Sequence, residues 1–487
     1  MTAALTLTLR GGTVCTEHGV QHLDIGVRDG VIAAMGPQLS PGLQDIDVTG
    51  RLLLPGGIDS HCHIEQLSGM GRMAADDFYS ATVSAAFGGT TTVIPFAIQR
   101  KGESLTDVVD AYAVRAQAGA VVDYAFHAII SDPCEQVLAE ELPGMVARGV
   151  TSFKAYMAYD SVRLDDYQLL ELLQASARHR ALVMVHAENN DMIRWVTRQL
   201  LASGRRAPKY HATAHQPITE SEAANRALSL AQLADAPVLL VHVAGSETVR
   251  LVRSAQILGA PVFAETCPQY LVLSREDLAA NGMEGAKFCC APPPGDAGSQ
   301  AAVWAGIQDG TLAIFSSDHA PYRMDASGKL PEGEDTTFAD IANGVPGLET
   351  RLPILFSEGV VRGRISIEQF ARITATNHAL TYGLYPKKGV LRVGSDADIA
   401  VWDPEVKVQI RHDRLHDRTG YTPYEGMVVT GWPTLTLLRG DVLTRGDQLL
   451  ASAGSGQYVP CAPFQAGRID FHRHPGATRR TGRFIEF

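Results

Sequence analysis

Cysteine is scarce in this chain. Its 487 residues hold seven cysteines, an odd number spread widely with no C-x-x-C pair, which excludes a disulfide framework and fits a reduced, cytoplasmic setting. The adjacent Cys289 and Cys290 read as small buried apolar residues. Basic charge is also short: 42 Lys and Arg stand against 53 Asp and Glu, a net charge of −11. Nucleic acid is therefore not an expected partner, since binding phosphates needs clustered cations. The one basic cluster, His472 to Arg483, reads as a solvated or subunit-contacting tail. No apolar run reaches about 18 residues, so no membrane span is expected. The N-terminus has no charged stretch followed by an apolar one, so no secretory leader is expected either. What is present is ordinary for a globular protein, 45% hydrophobic and 20% charged residues, with length for a large domain and a smaller one.

The texture changes twice along the chain. Residues 1–54 read as short strands separated by Gly11-Gly12, Asp29-Gly30 and Gly36-Pro37, the turn chemistry of an all-β module. From residue 55 to 385, apolar β-branched segments alternate with helical ones. The expected strands are 58–63, 90–96, 121–129, 152–158, 181–188, 237–244, 261–268 and 312–320. Helices are expected over 76–87, 105–118, 164–179, 222–233, 246–258 and 299–308. Eight such units imply a parallel sheet covered by helices, closed as a (β/α)8 barrel; an open doubly wound sheet is the alternative. Over 386–460 the β texture returns, so the two chain ends are expected to build one small β-sandwich. Residues 461–487 read as a tail.

Ligand-type side chains collect at the expected strand tips. His61 and His63 stand one residue apart, and residues i and i+2 of a strand share a face. Lys154 lies in Ser152-Phe153-Lys154, His186 in Val185-His186-Ala187-Glu188, His242 in Val241-His242-Val243 and Asp318 in Ser317-Asp318-His319. Each alone reads as a core histidine, a helix cap or a snorkelling lysine. Together, on five strands, they point to a metal site. A buried lysine loses its charge readily, and its free amine can add CO2 to form a carbamate, a bridging carboxylate. Two histidines per cation and one shared carboxylate suit a two-metal hydrolytic site. Imidazole and carboxylate ligands favour Zn2+, with Mn2+ or Co2+ as substitutes. His211 and His215 have no evident partner and read as structural. Glu65 and Glu188 are candidates to orient ligands or line the pocket, and His319 is expected just behind the ligands.

With these residues in place, the chain resembles the cyclic amidohydrolases of the amidohydrolase superfamily, specifically the dihydropyrimidinase/hydantoinase group, from about residue 5 to about residue 455. The resemblance is carried by Pro55-Gly56-Gly57-Ile58-Asp59-Ser60-His61-Cys62-His63, Asp76-Asp77-Phe78, Gly88-Gly89-Thr90-Thr91, Ser152-Phe153-Lys154, Glu265-Thr266-Cys267-Pro268-Gln269-Tyr270, Ser317-Asp318-His319 and Asn343-Gly344-Val345-Pro346-Gly347. It implies a binuclear zinc hydrolase with two Zn2+ per subunit, opening the ring of dihydropyrimidines or hydantoins to N-carbamoyl amino acids. His61, His63 and Asp318 would hold the more buried metal, and His186 and His242 the more exposed one. Carboxylated Lys154 would bridge them, and Asp318 would also carry the proton. Tyr159 would donate to the developing oxyanion. The main chain at Asn343 and at Ala291 would hold the ring. Ala291 and Gly295 depart from the group's usual Ser or Thr and Arg. The segment Ile64 to Met73 lies where the group has a substrate-shaping loop. The resemblance also implies a homotetramer or homodimer. Allantoinase, cyclic imide hydrolase and dihydroorotase remain as alternatives; a metal-free scaffold relative is disfavoured by the complete ligand set.

Overall fold

The β segments of the two chain ends are strands of one sheet. In the computed structural model, which describes residues 4–466, the strands Leu7–Thr16, Gly19–Arg28, Val31–Gly36, Gln44–Asp47 and Leu52–Pro55 join Ile399–Gln409, Val428–Leu438, Asp441–Arg445 and Gln448–Leu449 in nine-stranded pairing. The seam is antiparallel, with Pro55 opposite Ile399 and Leu52 opposite Trp402. A bulge between Leu9 and Gly12, with Gly11 at φ 71°, bends the first strand. Its first half then pairs with Gln44–Asp47 and its second half with Leu52–Pro55; an extra residue in one strand produces such a bend. Leu9, Val14, Ile25, Ile32, Leu53, Ile399, Val401 and Leu437 form the apolar core of this sheet.

The middle of the chain makes parallel ladders. Phe96–Ile98, His127–Ile129, Ser152–Tyr156, Leu182–His186, Val238–Leu240, Val262–Thr266 and Ile314–Phe315 form a seven-stranded sheet, and Gly57–Asp59, Thr90–Val93 and Asp123–Tyr124 a three-stranded one. Two expected strands are thus each split between the sheets. Pro95 explains the first split, because it brings no N–H to a ladder. Single hydrogen bonds carry the pairing across the gap: Ile94 N donates to Asp59 O (2.8 Å), Ala125 N to Val93 O (3.1 Å) and His127 N to Pro95 O (3.0 Å). At the other end Cys62 makes an isolated parallel bridge to His319. Ile58, Ile94, Phe96, Ile129, Met184, Leu239 and Ile314, drawn from both sheets, pack into one buried apolar cluster.

Helices cover the outer faces: Phe78–Phe87, Leu105–Gly119, Asp166–Arg178, Pro217–Leu233, Ser246–Ile257 and Ala297–Asp309. Asp165 starts one of them with a capping box shared with Gln168, the pattern that satisfies two orphan N–H groups at once. The helix Asn190–Ala202 and the helical stretch from Arg351 to Thr381 were not anticipated from periodicity. Among the described residues no helix is long and apolar enough to cross a membrane.

Lys388 joins the two parts of the molecule. Its Nζ lies 2.6 Å from Asp123, 2.7 Å from Asp398 and 2.9 Å from Asp396, all buried. The three carboxylates could by themselves hold a cation; the ammonium already fills that place.

One expectation needs correction. His61 and His63 do not ride on a strand, because the strand Gly57–Asp59 ends before them. Asp59 Oδ1 accepts from both His61 N (3.1 Å) and Ser317 N (3.2 Å). That carboxylate turns the chain away from the ladder, and the extended segment that follows carries both imidazoles to the rim.

Candidate metal centre

Six side chains from five separate parts of the sequence meet at the C-terminal ends of the parallel strands. Lys154 is central in Ser152–Tyr156 and His186 ends Leu182–His186, while His242 and Asp318 lie just past Val238–Leu240 and Ile314–Phe315. His61 Nε2 is 3.1 Å and His63 Nε2 3.4 Å from Asp318 Oδ1. His186 Nδ1 is 2.8 Å from His242 Nε2. Lys154 Nζ is 3.3 Å from His61 Nε2, and the His61 and His242 rings are 5.4 Å apart. His61, His242 and Asp318 each offer a ligand atom within 4.8 Å of the others. The backbone is bent to achieve this: Tyr159, His242 and Asp318 have φ of 68°, 40° and 50°. Such conformations cost energy in residues other than glycine and persist where surrounding structure enforces them.

The outward ring nitrogens are tethered. His61 Nδ1 meets Glu265 Oε1 at 2.5 Å, and Ser316 Oγ donates to the other oxygen of Glu265 at 2.8 Å. His186 Nε2 meets Glu188 Oε2 at 3.0 Å, and Glu188 Oε1 meets His215 Nδ1 at 2.8 Å. Gln66 stands against His63 Nδ1. These tethers leave Nε2 of His61 and His63 and Nδ1 of His186 facing the centre, as metal-ligating histidines are commonly held.

Burial sets the proton affinities. It pulls the Lys154 ammonium down to about 8 and the His63 imidazole down to about 4, and it lowers His186 and His242 as well. These groups are thereby biased to their neutral, lone-pair-bearing forms. Burial alone would raise Asp318, but His61 and His63 around it hold the carboxyl well below its usual range. His61 is the exception: against the effect of burial, Glu265 and Asp318 raise it. With three imidazoles biased to neutrality, one ionised carboxylate and a lysine whose charge burial disfavours, the set fits a cation centre by donor chemistry.

Beside the centre lies a pocket. Met70, Ile98, Ile129 and Val162 make it apolar, and Tyr156, Tyr159, Ala291 and Asn343 reach into it. Asn343 Nδ2 donates to the Tyr159 hydroxyl at 3.2 Å, and the Asn343 Oδ1 atom is buried without a partner. Among the described residues, the Ala291 amide and carbonyl make no internal hydrogen bond.

Sequence reasoning located the ligand types and missed part of their support. Glu265 appeared only inside a motif; a buried acid at the end of a strand between those leading to His242 and Asp318 was the available signal. His215, read as having no partner, holds Glu188. His211 is likewise engaged, its Nε2 lying 2.7 Å from Cys290 O. Glu188 does orient a neighbour, His186. Glu65 instead accepts from Phe78 N at 3.2 Å, at the start of a helix. His319 lies behind the centre, its Nε2 3.0 Å from Asp76 Oδ2 and its Nδ1 accepting from Gly347 N at 3.1 Å.

Comparison with known proteins gives a consistent result. A family model described as the amidohydrolase family matches residues 52–443. The D-hydantoinase of Geobacillus stearothermophilus is 41% identical over 469 residues, spanning 96% of this chain and 98% of that protein. The D-hydantoinase of Rhizobium radiobacter is 39% identical over 455 residues, with 93% and 98% covered. The crystal structure of a dihydropyrimidinase from Brevibacillus agri superimposes with a TM-score of 0.91 at 40% identity, covering 94% of this chain and 99% of that one.

Proposed function

The chain belongs to the amidohydrolase family and is a hydrolase of cyclic amides, and we propose that it opens hydantoins or dihydropyrimidines to N-carbamoyl amino acids. The observation that carries this reading is the set of inward-facing nitrogens of His61, His63, His186 and His242 around Asp318 and Lys154. His61, His63 and Asp318 would hold one cation and His186 and His242 the other, with Lys154 between them after its free amine has added CO2. When bound, two Zn2+ ions, or Mn2+ or Co2+ in their place, supply Lewis acidity and a nucleophile derived from water at neutral pH.

The chain's own groups divide the remaining work. Asp318 takes the proton of the attacking water and passes it to the leaving ring nitrogen as the C–N bond breaks. Tyr159 donates its hydroxyl hydrogen to the developing oxyanion. The main chain of Ala291 and Asn343 holds the ring's N–H and C=O groups. No lysine or arginine lines the pocket among the described residues, and its apolar wall of Met70, Ile98, Ile129 and Val162 suits an apolar ring substituent. This argues against a substrate that carries a free carboxylate, as a dihydroorotase would need.

The same reading takes the two parallel ladders as one (β/α)8 barrel over residues 55–385, supported by the bonds that bridge Pro95 and by the Cys62–His319 contact. Residues 1–54 and 386–460 would be the companion β-sandwich. Assembly as a homotetramer or homodimer belongs to the proposal, and sedimentation equilibrium tests it. So does a cytoplasmic setting, supported by seven free thiols. The basic cluster 472–483, read as a solvated or subunit-contacting tail, lies outside the described residues.

A substrate panel of dihydrouracil, hydantoin, 5-substituted hydantoins of both hands, succinimide and allantoin, with metal content measured in parallel, tests the activity. Ring opening with about two metal equivalents per chain is the expected result for a two-metal site. No turnover in a metal-replete preparation overturns the reading.

A further inference from the structure

Lys329 is fully buried, and among the described residues it pairs with no carboxylate. Its Nζ donates instead to two main-chain carbonyls, Cys289 O and Ala342 O, each at 2.9 Å. Burial pulls this ammonium down to about 8. A buried donor of this kind is costly unless its hydrogen bonds are made, and here they join two distant segments. Gly344 N also donates to Cys289 O, at 3.0 Å. On its other side Gly344 packs against Ala320, where an added Cβ would lie 2.4 Å from Ala320 Cβ, so this position of the backbone needs glycine.

The neighbouring carbonyls are fixed as well. Cys290 O lies 2.7 Å from His211 Nε2, and Pro292 O accepts from the Tyr270 hydroxyl at 3.0 Å. The carbonyls of residues 289, 290 and 292 are thus each held from behind. Ala291, between them, keeps its amide and carbonyl free and lines the pocket beside Asn343. Lys329 touches neither the centre nor the pocket, so its influence runs through the backbone it holds.

We propose that Lys329, assisted by His211 and Tyr270, is a positioning residue that clamps the segments 289–292 and 342–344 together, so that Ala291 and Asn343 present a fixed edge of main-chain donors and acceptors to the substrate ring. This rests on the reading that the pocket takes a cyclic ureide or imide, whose alternating N–H and C=O groups need partners at set spacing. The clamp governs ring binding, and Lys329 itself contacts none of the six residues of the centre.

Lys329→Met keeps the stem and removes the donors. For hydantoin, KM is expected to rise about 10-fold or more while kcat stays within about threefold, the pattern of lost ground-state binding, and metal content per chain stays at the parental level. Tyr270→Phe, which leaves Pro292 O only the weak Cys290 thiol donor at 3.3 Å without opening a cavity, is expected to raise KM in the same way by a smaller factor, and it decides the matter should Lys329→Met fail to fold. Folded variants with parental KM overturn the clamp, whatever their melting temperature. So does a fall in kcat at unchanged KM, or a loss of metal. A parent enzyme that opens no ring in the panel overturns the functional reading and the clamp with it; an active parent with unaffected variants overturns the clamp alone.

Discussion

At the scale of single residues, the centre separates groups that face inward from groups that hold them. Lys154→Ala removes the amine proposed to become the bridging carbamate. Turnover is expected to be lost and metal content to fall below the parental value, measured by elemental analysis of protein prepared with bicarbonate and excess zinc. Tyr159→Phe leaves metal content intact and lowers kcat about 10²–10³-fold, the usual cost of one oxyanion donor, as steady-state kinetics would show. Glu265→Gln weakens the anchor of His61, and metal affinity should drop about 10–100-fold in competition with a chelator. The sequence exposed the inward groups because imidazoles and a carboxylate at strand tips are chemically conspicuous. It hid their supports. Glu265 sits in an apolar strand and looks like any buried acid, and the partnership of His215 with Glu188 forms only when the fold brings the two residues together.

At the scale of elements, the parallel strands and their helices were legible from β-branched runs alternating with 3.6-residue patterns. Their ends were not. The strand holding Ile58 stops at Asp59, where that carboxylate accepts from two backbone amides, the nearby His61 N and the distant Ser317 N. Pro95 splits another strand for a reason the sequence does contain, the missing N–H, which a run of apolar residues masks. The contact between the two parts of the molecule depends on Lys388 and its three acids. Removing the cation with Lys388→Met leaves Asp396 and Asp398 without their ammonium while Asp123 keeps Arg439, and denaturant unfolding should show a loss of about 3–5 kcal/mol.

At the scale of the whole molecule, buried titratable groups set how stability follows pH. His211 and His378 are each pulled down to about 3 by burial. As pH falls below about 6.5 the unfolded chain takes up these protons while the folded chain does not. Stability should therefore decline from about pH 6.5 towards the folded values near 3. Lys388 acts at the other limit. Burial disfavours its charge, but Asp398, Asp123 and Asp396 outweigh that and raise it. Its contribution is complete below the ordinary lysine range and disappears as pH climbs through the raised folded value. Thermal unfolding across pH would show both limbs, and Lys388→Met would erase part of the alkaline one.

The pairing of Leu52–Pro55 with Ile399–Trp402 also governs how the protein can be made. During synthesis the amino-terminal strands leave the ribosome with one flank open, and they keep it open until nearly the whole polypeptide has followed. An unpaired apolar flank invites the wrong neighbour. Prematurely terminated chains that end before residue 399 would carry that exposed template permanently, which makes the late strands as much a guard against self-association as a part of the finished scaffold.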